Sequence, residues 1–319
     1  MSRFLSEYLA KYMRGMDRVE KYMKEKYAYQ RLYDIYKSEF GEKHPATLIA
    51  LNDLADFYRN MREFNKALEL HEEVYVKRRD VLGEKHPDTL LALADLASSY
   101  SDLEDYNKAF ELKNTVYNAR KEILGEKHPD TLTALADLAD SYSDLEDYNK
   151  AFELKNTVYN ARKEILGENH PDTLTALSDL ADSYSDLEDY NKALELQNTV
   201  YNARKEILGE KHPDTLTALS NLAISYSYFK EHNMALEMRN TVYSARKEVL
   251  GEQHPDTLTA LADLANSYSH LEEYKKANEL QYIVYFARIE ILGNKHPDTL
   301  MALANLIDTS IILDENNED

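Results

Sequence analysis

Residues 125–166 read GEKHPDTLTALADLADSYSDLEDYNKAFELKNTVYNARKEIL, and the same sentence returns every 42 residues. Its opening glycine stands at Gly41, Gly83, Gly125, Gly167, Gly209, Gly251 and Gly293, and His-Pro follows three residues after each. The copy at 83–124 departs from the one at 125–166 at only two positions, Leu91 for Thr133 and Ser98 for Asp140. A period of this length signifies units that cannot cover their own apolar faces and must stack on their neighbours.

Within the unit, Leu132, Leu135, Leu138, Ala139, Tyr142 and Leu145 recur at three and four residues, the period of a helix with one apolar stripe. Pro129 suits the first helical turn, where its missing donor is no loss, and Asp130 suits the positive end of the helix. The polar break Ser143–Asp147 then interrupts the stripe, and Asp147 is placed to cap a second helix. That helix, from Tyr148 to Leu166, presents Tyr148, Ala151, Leu154, Val158 and Ile165 on one side, with Phe152 and Tyr159 turned towards a neighbouring surface. Gly167 closes it as a residue free to adopt a left-handed conformation. Each unit is therefore expected to be a helix of about 15 residues, a short turn, a helix of about 19 and a capped loop.

The period divides the chain into a degenerate helical cap at 1–40, six full units (41–82, 83–124, 125–166, 167–208, 209–250 and 251–292) and a half unit with an acidic tail at 293–319. In the cap, Phe4, Leu5, Tyr8, Leu9 and Tyr12 form one amphipathic run and Val19 to Phe40 another, with Gly15 near the break and Tyr22 and Tyr33 in the frame of Tyr148 and Tyr159. The tail from Asp314 to Asp319 is expected to fray. Just before it, Ile311, Ile312 and Leu313 either tuck against the preceding pair or leave an apolar end. The unbroken period argues for one elongated body.

The chain has 319 residues, 30% of them charged and 43% hydrophobic, as expected of a soluble folded protein. It has no cysteine, which excludes a disulfide framework and a thiolate site and fits a reducing, cytoplasmic setting. Its first 27 residues carry charges throughout and lack the apolar core of a secretion signal. Nowhere do about eighteen apolar residues run together, so no transmembrane helix is expected. A formal net charge of -20 repels nucleic acid and anionic membranes and attracts basic peptides.

The combination of Leu138-Ala139, Tyr142, Tyr148, Ala151 and the loop LGEKHPDTL resembles the tetratricopeptide repeat in its 42-residue form, the kinesin-light-chain type. The run ARKEILGEKHPDTLTALADLA is especially similar to repeat tails of fungal and bacterial nucleotide-binding sensor proteins. The resemblance is close over 41–313 and loose over 1–40. It implies an all-α fold, a right-handed α-solenoid of stacked antiparallel helix pairs with a concave groove. The family's usual glycine between the two helices is replaced by Glu104, Glu146, Glu188, Glu272 and, in a shifted context, Glu231.

First helices line the groove in this family, which points to three rows of side chains. The first row is Asp53, Asp95, Asp137, Asp179, Asn221, Asp263 and Asn305. The second is Asp56, Ser98, Asp140, Asp182, Ile224, Asn266 and Asp308, and the third is Asn60, Asp102, Asp144, Asp186, Tyr228, His270 and Ile312. Relatives that hold a peptide carboxylate need Lys, Arg and Asn there, and only Asn221 and Asn305 match the family's asparagine. The acidic stretch points instead to a basic or polar peptide, read by Asp95, Asp137, Asp140, Asp144, Asp179, Asp182 and Asp186. The apolar departure at Ile224 and Tyr228 offers an anchor.

No chemistry competes with this reading. The seven His-Pro histidines fall about 10 Å apart in successive layers, whereas zinc needs ligands about 2 Å from one ion. There is no phosphate-cradling glycine loop and no distinguishable nucleophile, base or Ser-His-Asp set. The expectation is a non-enzymatic protein- or peptide-binding scaffold without cofactor, metal, nucleic acid or membrane partner. Two other readings stay open: a structural solenoid that self-associates through its ends, or an engineered or excised array without an evolved ligand.

Overall fold

The computed structural model describes residues 24–294 and 296–318, the last five as backbone only. The sequence readings made on Phe4, Leu5, Tyr8, Leu9, Tyr12, Gly15, Val19 and Tyr22 lie outside the described residues. Those described fall into two compact units, 24–187 and 188–318.

The first unit holds α1 (24–40), α2 (Pro45–Asn60), α3 (Phe64–Leu82), α4 (Pro87–Asp102), α5 (Tyr106–Leu124), α6 (Pro129–Asp144), α7 (Tyr148–Leu166) and α8 (Pro171–Asp186). The second holds α9 (Tyr190–Leu208), α10 (Pro213–Tyr228), α11 (His232–Leu250), α12 (Pro255–His270), α13 (Tyr274–Leu292) and α14 (Pro297–Glu318). From α2 to α8, and again from α9 to α14, each helix packs on the next in sequence. Both units are all-α stacks of antiparallel pairs, as the repeat pattern implied.

The helix starts follow from local chemistry. His128 is the N-cap of α6: its Nδ1 accepts the Asp130 backbone N–H at 3.2 Å, and Pro129 takes the first position. The same bond forms at His44, His86, His170, His212, His254 and His296, so these histidines are helix caps. The short turn between first and second helices is a Schellman motif. Asp147 N–H donates to Tyr142 O at 2.8 Å and Glu146 N–H to Ser143 O at 2.9 Å. Asp147 then caps α7 through its Oδ1, which accepts the Lys150 N–H at 3.1 Å. One residue thereby ends a helix and starts the next.

Three details differ from the sequence reading. The left-handed turn residue of the 209–250 repeat is Lys230, with φ 59°, and Glu231 is the N-cap of α11. The frame of Glu104, Glu146 and Glu188 falls on position 230. Gly167 also departs from the ordinary left-handed helix cap: at φ 91° and ψ 162° it sits in the mirror-extended region, which a side chain effectively forbids. That is why glycine cannot be exchanged there while the turn at 146 tolerates glutamate. The C-terminal tail also departs from expectation, because α14 stays helical through Glu318.

The core of each layer draws on three repeats. Leu135, Val158 and Ala176 pack with Tyr117, Leu154 and Tyr159, and in the second unit Leu219, Val242 and Ala260 pack with Leu194 and Tyr201. Phe152 meets Tyr184 of the next first helix edge-on at 5.0 Å. Arginines tie each second helix to the next start: Arg120 Nη1 donates to Asp130 O at 3.1 Å and Arg162 to Asp172 O at 3.3 Å. Tyr33 of α1 is buried against Ala50, Leu51, Val74 and Ala92, the place Tyr75 takes one repeat later.

Leu138 is 4% exposed. Leu138→Ala should cost about 2–5 kcal/mol and open a locally weak site in amide exchange around α6 and α7. Glu146 holds φ 62°, a strained value for a residue with a Cβ. Glu146→Gly should raise stability by about 0.5–1 kcal/mol, the relief of that strain less the entropy of a freer unfolded chain. Urea unfolding of the two variants checks both signs.

Candidate functional site

Positions such as 137, 140 and 144 are three and four residues apart, so each first helix presents them on one face. In the first unit Asp95, Asp137 and Asp179 are half-buried, whereas Asp140, Asp144, Asp182 and Asp186 are exposed. Asp53 and Asn60 are exposed, and Asp56, Ser98 and Asp102 half-buried.

A further row, from the second helices, lies beneath these side chains and was missed in the sequence. It consists of His71, Lys113 and Lys155, each eighteen residues after the first-row aspartate of its repeat. Lys155 is 8% exposed, and its Nζ lies 3.1 Å from Asp140 Oδ1. His71 is wholly buried, with Nδ1 2.7 Å from Ser99 Oγ and Nε2 3.4 Å from Asp56 Oδ1. Arg59 reaches the next first helix, where its Nε donates to Asp102 at 2.5 Å. Lys113 differs from Lys155 because Ser98 stands where Asp140 would be, and it has no ion pair among the described residues. It lines a cavity of about 230 Å³ with Arg59, Ser98, Ser101, Asp137 and Asp140. The signal was present: the second-helix position changes among His, Lys, Gln and Arg from repeat to repeat.

Burial pushes the carboxyls of Asp95, Asp137 and Asp179 above the usual range. Lys113 opposes the shift at Asp137. At Asp179 the carboxylates of Asp140 and Asp182 add to burial against Lys155 and Arg162, and its pKa reaches about 6.

The second unit is less acidic on the equivalent face. Asn221 and Asn305 are half-buried, and Ile224 and Tyr228 are 48% and 56% exposed. The Tyr228 ring stacks on Tyr190 at 4.8 Å, and His270 stacks on His232 at 5.3 Å. Burial lowers the His270 pKa, as do the charges of His232 and Arg239. The second-helix row here is Gln197, Arg239 and Gln281. Arg239 Nη1 donates to Ser267 Oγ at 2.6 Å, and Thr309 Oγ1 donates to Gln281 Oε1 at 2.5 Å. Burial raises Asp263 against the pull of Arg239, Arg246 and Arg288. Among the described residues, no three His, Asp or Glu side chains are grouped to hold a metal, and no helix is long and apolar enough to cross a membrane.

Tetratricopeptide repeat models match residues 47–122, 96–164, 144–206 and 172–248, and a second such model matches 257–298. A kinesin-light-chain-type array of nearly identical TPR-like repeats from Podosopora anserina is 26% identical, with a TM-score of 0.55 over 65% of this chain and 98% of its own. NprR in complex with its cognate peptide NprX shares the fold at 15% identity and a TM-score of 0.57, over 86% of this chain and 78% of its own. So does a signal-transduction ATPase with a tetratricopeptide repeat sensor from Pyrococcus horikoshii, at 16% identity and a TM-score of 0.57, over 90% of this chain and 45% of its own. No curated protein matched. With most of its length covered by matching repeats, the chain belongs to the tetratricopeptide repeat family.

Proposed function

We propose that this protein is a non-enzymatic scaffold that captures basic or polar peptide segments on the faces of its first helices, in the cytoplasm. The observation that carries the reading is the set of exposed carboxylates Asp140, Asp144, Asp182 and Asp186 on one face of α6 and α8. Asp144 and Asp186 have no ion-pair partner among the described residues. Peptide binding by a protein of the same fold, NprR with NprX, supports this use of the fold. The 42-residue unit and the Podosopora likeness support the kinesin-light-chain type. The second unit by itself offers a peptide an apolar contact at Ile224 and Tyr228 and backbone hydrogen bonds at Asn221 and Asn305.

The acidity is selective. Asp140 is engaged by Lys155 and Asp102 by Arg59, and Asp179, with a pKa of about 6, is ionised only above that pH. The cation-reading positions are those without such partners, chiefly Asp144 and Asp186.

A Lys/Arg-rich peptide should associate faster at low salt than its Glu-substituted counterpart, and Asp144→Asn with Asp186→Asn should remove most of that salt dependence. Stopped-flow rates at two ionic strengths decide it; equal, salt-independent rates for both peptides refute the reading. The pH dependence has a definite sign. Asp179 holds its proton up to about 6 in the folded chain against an ordinary 3.8, so the folded state binds it more tightly. Its contribution to stability therefore falls as pH rises between about 4 and 6 and is level above. Affinity for a cationic peptide should rise several-fold from pH 5 to pH 7 as the carboxylate ionises, and Asp179→Asn should flatten that rise in calorimetric titration.

A further inference from the structure

Two departures of the first unit from the repeat meet at one cavity. Arg59 stands where the later repeats carry Ser101, Ser143, Ser185, Ser227 and Ser269, and Ser98 stands where the repeats on either side carry Asp56 and Asp140. One change adds a positive charge and the other removes a negative one. Both residues line the cavity of about 230 Å³, together with Ser101, Lys113, Asp137 and Asp140. In a chain of net charge -20, this pocket runs against the trend of the surface.

The neighbouring repeats show what the serine leaves open. One repeat later Lys155 takes the frame of Lys113, and its Nζ lies 3.1 Å from Asp140 Oδ1. One repeat earlier His71 takes that frame, with Nε2 3.4 Å from Asp56 Oδ1. Lys113 has only Ser98 at the corresponding place, and the Ser98 hydroxyl turns back to its own helix, donating to Ala94 O at 3.1 Å. Lys113 is therefore a half-buried cation without the carboxylate that its frame supplies on either side.

The other donors at the cavity are uncommitted in part. Arg59 gives Nε and Nη2 to Asp102, at 2.5 and 3.4 Å, and keeps Nη1. Ser101 Oγ is buried without a hydrogen-bond partner among the described residues, a state that costs free energy until an acceptor arrives. An ammonium, a guanidinium N–H and a hydroxyl together suit an anionic oxygen pair. Asp137 and Asp140 in the same lining limit that anion to a single charge, which favours a carboxylate over a phosphate. The next layer shows that one carboxylate is tolerated in such company. There Lys155 holds Asp140 although Asp140 acts on Asp179, whose pKa burial raises and Asp140 raises further.

We propose that this cavity is a subsite for one carboxylate of a bound peptide, held by Lys113, Arg59 and Ser101 in the place that an aspartate at position 98 would take. The subsite rests on the peptide-capture reading and narrows it: the preferred segment is basic but carries one acidic group. Its basic residues then reach Asp144, one turn along α6 from Asp140.

Calorimetric titration of the full chain tests this with Lys/Arg-rich peptides that carry one glutamate at successive positions, against the same peptides with glutamine. At the best position the glutamate form should bind about tenfold tighter. Ser98→Asp and Lys113→Gln copy residues that the 125–166 and 167–208 repeats already fold with, and each should bring the two forms level. If amidating the peptide's C-terminus removes the gain and the glutamine change does not, the subsite holds a chain end in place of a side chain. Acetate at fixed ionic strength, followed by amide NMR, reads the site without a peptide. The signals of Ser98, Ser101 and Lys113 should move in the native chain and stay still in Ser98→Asp. Equal affinity for glutamate, glutamine and amidated peptides overturns the subsite and leaves the capture of basic peptides standing. If no peptide binds, the capture reading falls and the acetate titration alone decides the carboxylate site: unmoved signals, or signals that move equally in Ser98→Asp, overturn it.

Discussion

No helix pair in this chain can close over its own leucines, and everything else depends on that deficit. The cluster of Leu135, Val158 and Ala176 is completed by Tyr117 from the repeat before, so this layer is finished by side chains from both sides. Burial is the main favourable term in folding, and here it is available only to neighbours in register. The turns exist to hold that register. The Schellman turn at Glu146 and the mirror-extended glycine at 167 set two fixed angles that recur with each unit.

Stacking in register also determines the electrostatics. A residue type chosen once is placed once per layer, so a carboxylate on a first helix becomes a row. The chain carries a net charge of -20, yet the rows are not simply acidic. Lys155 and Arg59 neutralise particular members, and burial raises the carboxyl pKa of Asp95, Asp137 and Asp179, the last to about 6. Differences between repeats at one or two positions therefore matter more than the shared sentence: Ser98 in place of an aspartate leaves Lys113 beside a cavity.

The fold was legible because its signals are local. Pro129 and Asp147 mark helix starts through chemistry confined to a few residues, and the apolar period needs no knowledge of neighbours. What stayed hidden involved contacts between helices. His71, Lys113 and Lys155 sit on a face that reads as polar surface in one dimension, and only packing shows that Lys155 and His71 are buried beneath the aspartates. Arg120 likewise reads as part of a basic surface until its guanidinium is found on the Asp130 carbonyl. Gly167 reads as a residue free to adopt a left-handed conformation, but its ψ of 162° is not legible, since sequence distinguishes glycine from other residues and not one glycine-favoured region from another.

The double duty of Asp147, and of Asp105 one repeat earlier, has a consequence for how such a gene can change. With no spare residue in the joint, a gain or loss of one or two amino acids there removes either the end of one helix or the start of the next. A gain or loss of a whole unit re-creates the same joints and the same layer contacts, because 83–124 and 125–166 differ at only two positions. Unequal crossing-over between such segments yields chains that are one layer longer or shorter and still fold. Reach is thus the heritable trait free to vary, while the geometry of each step is not.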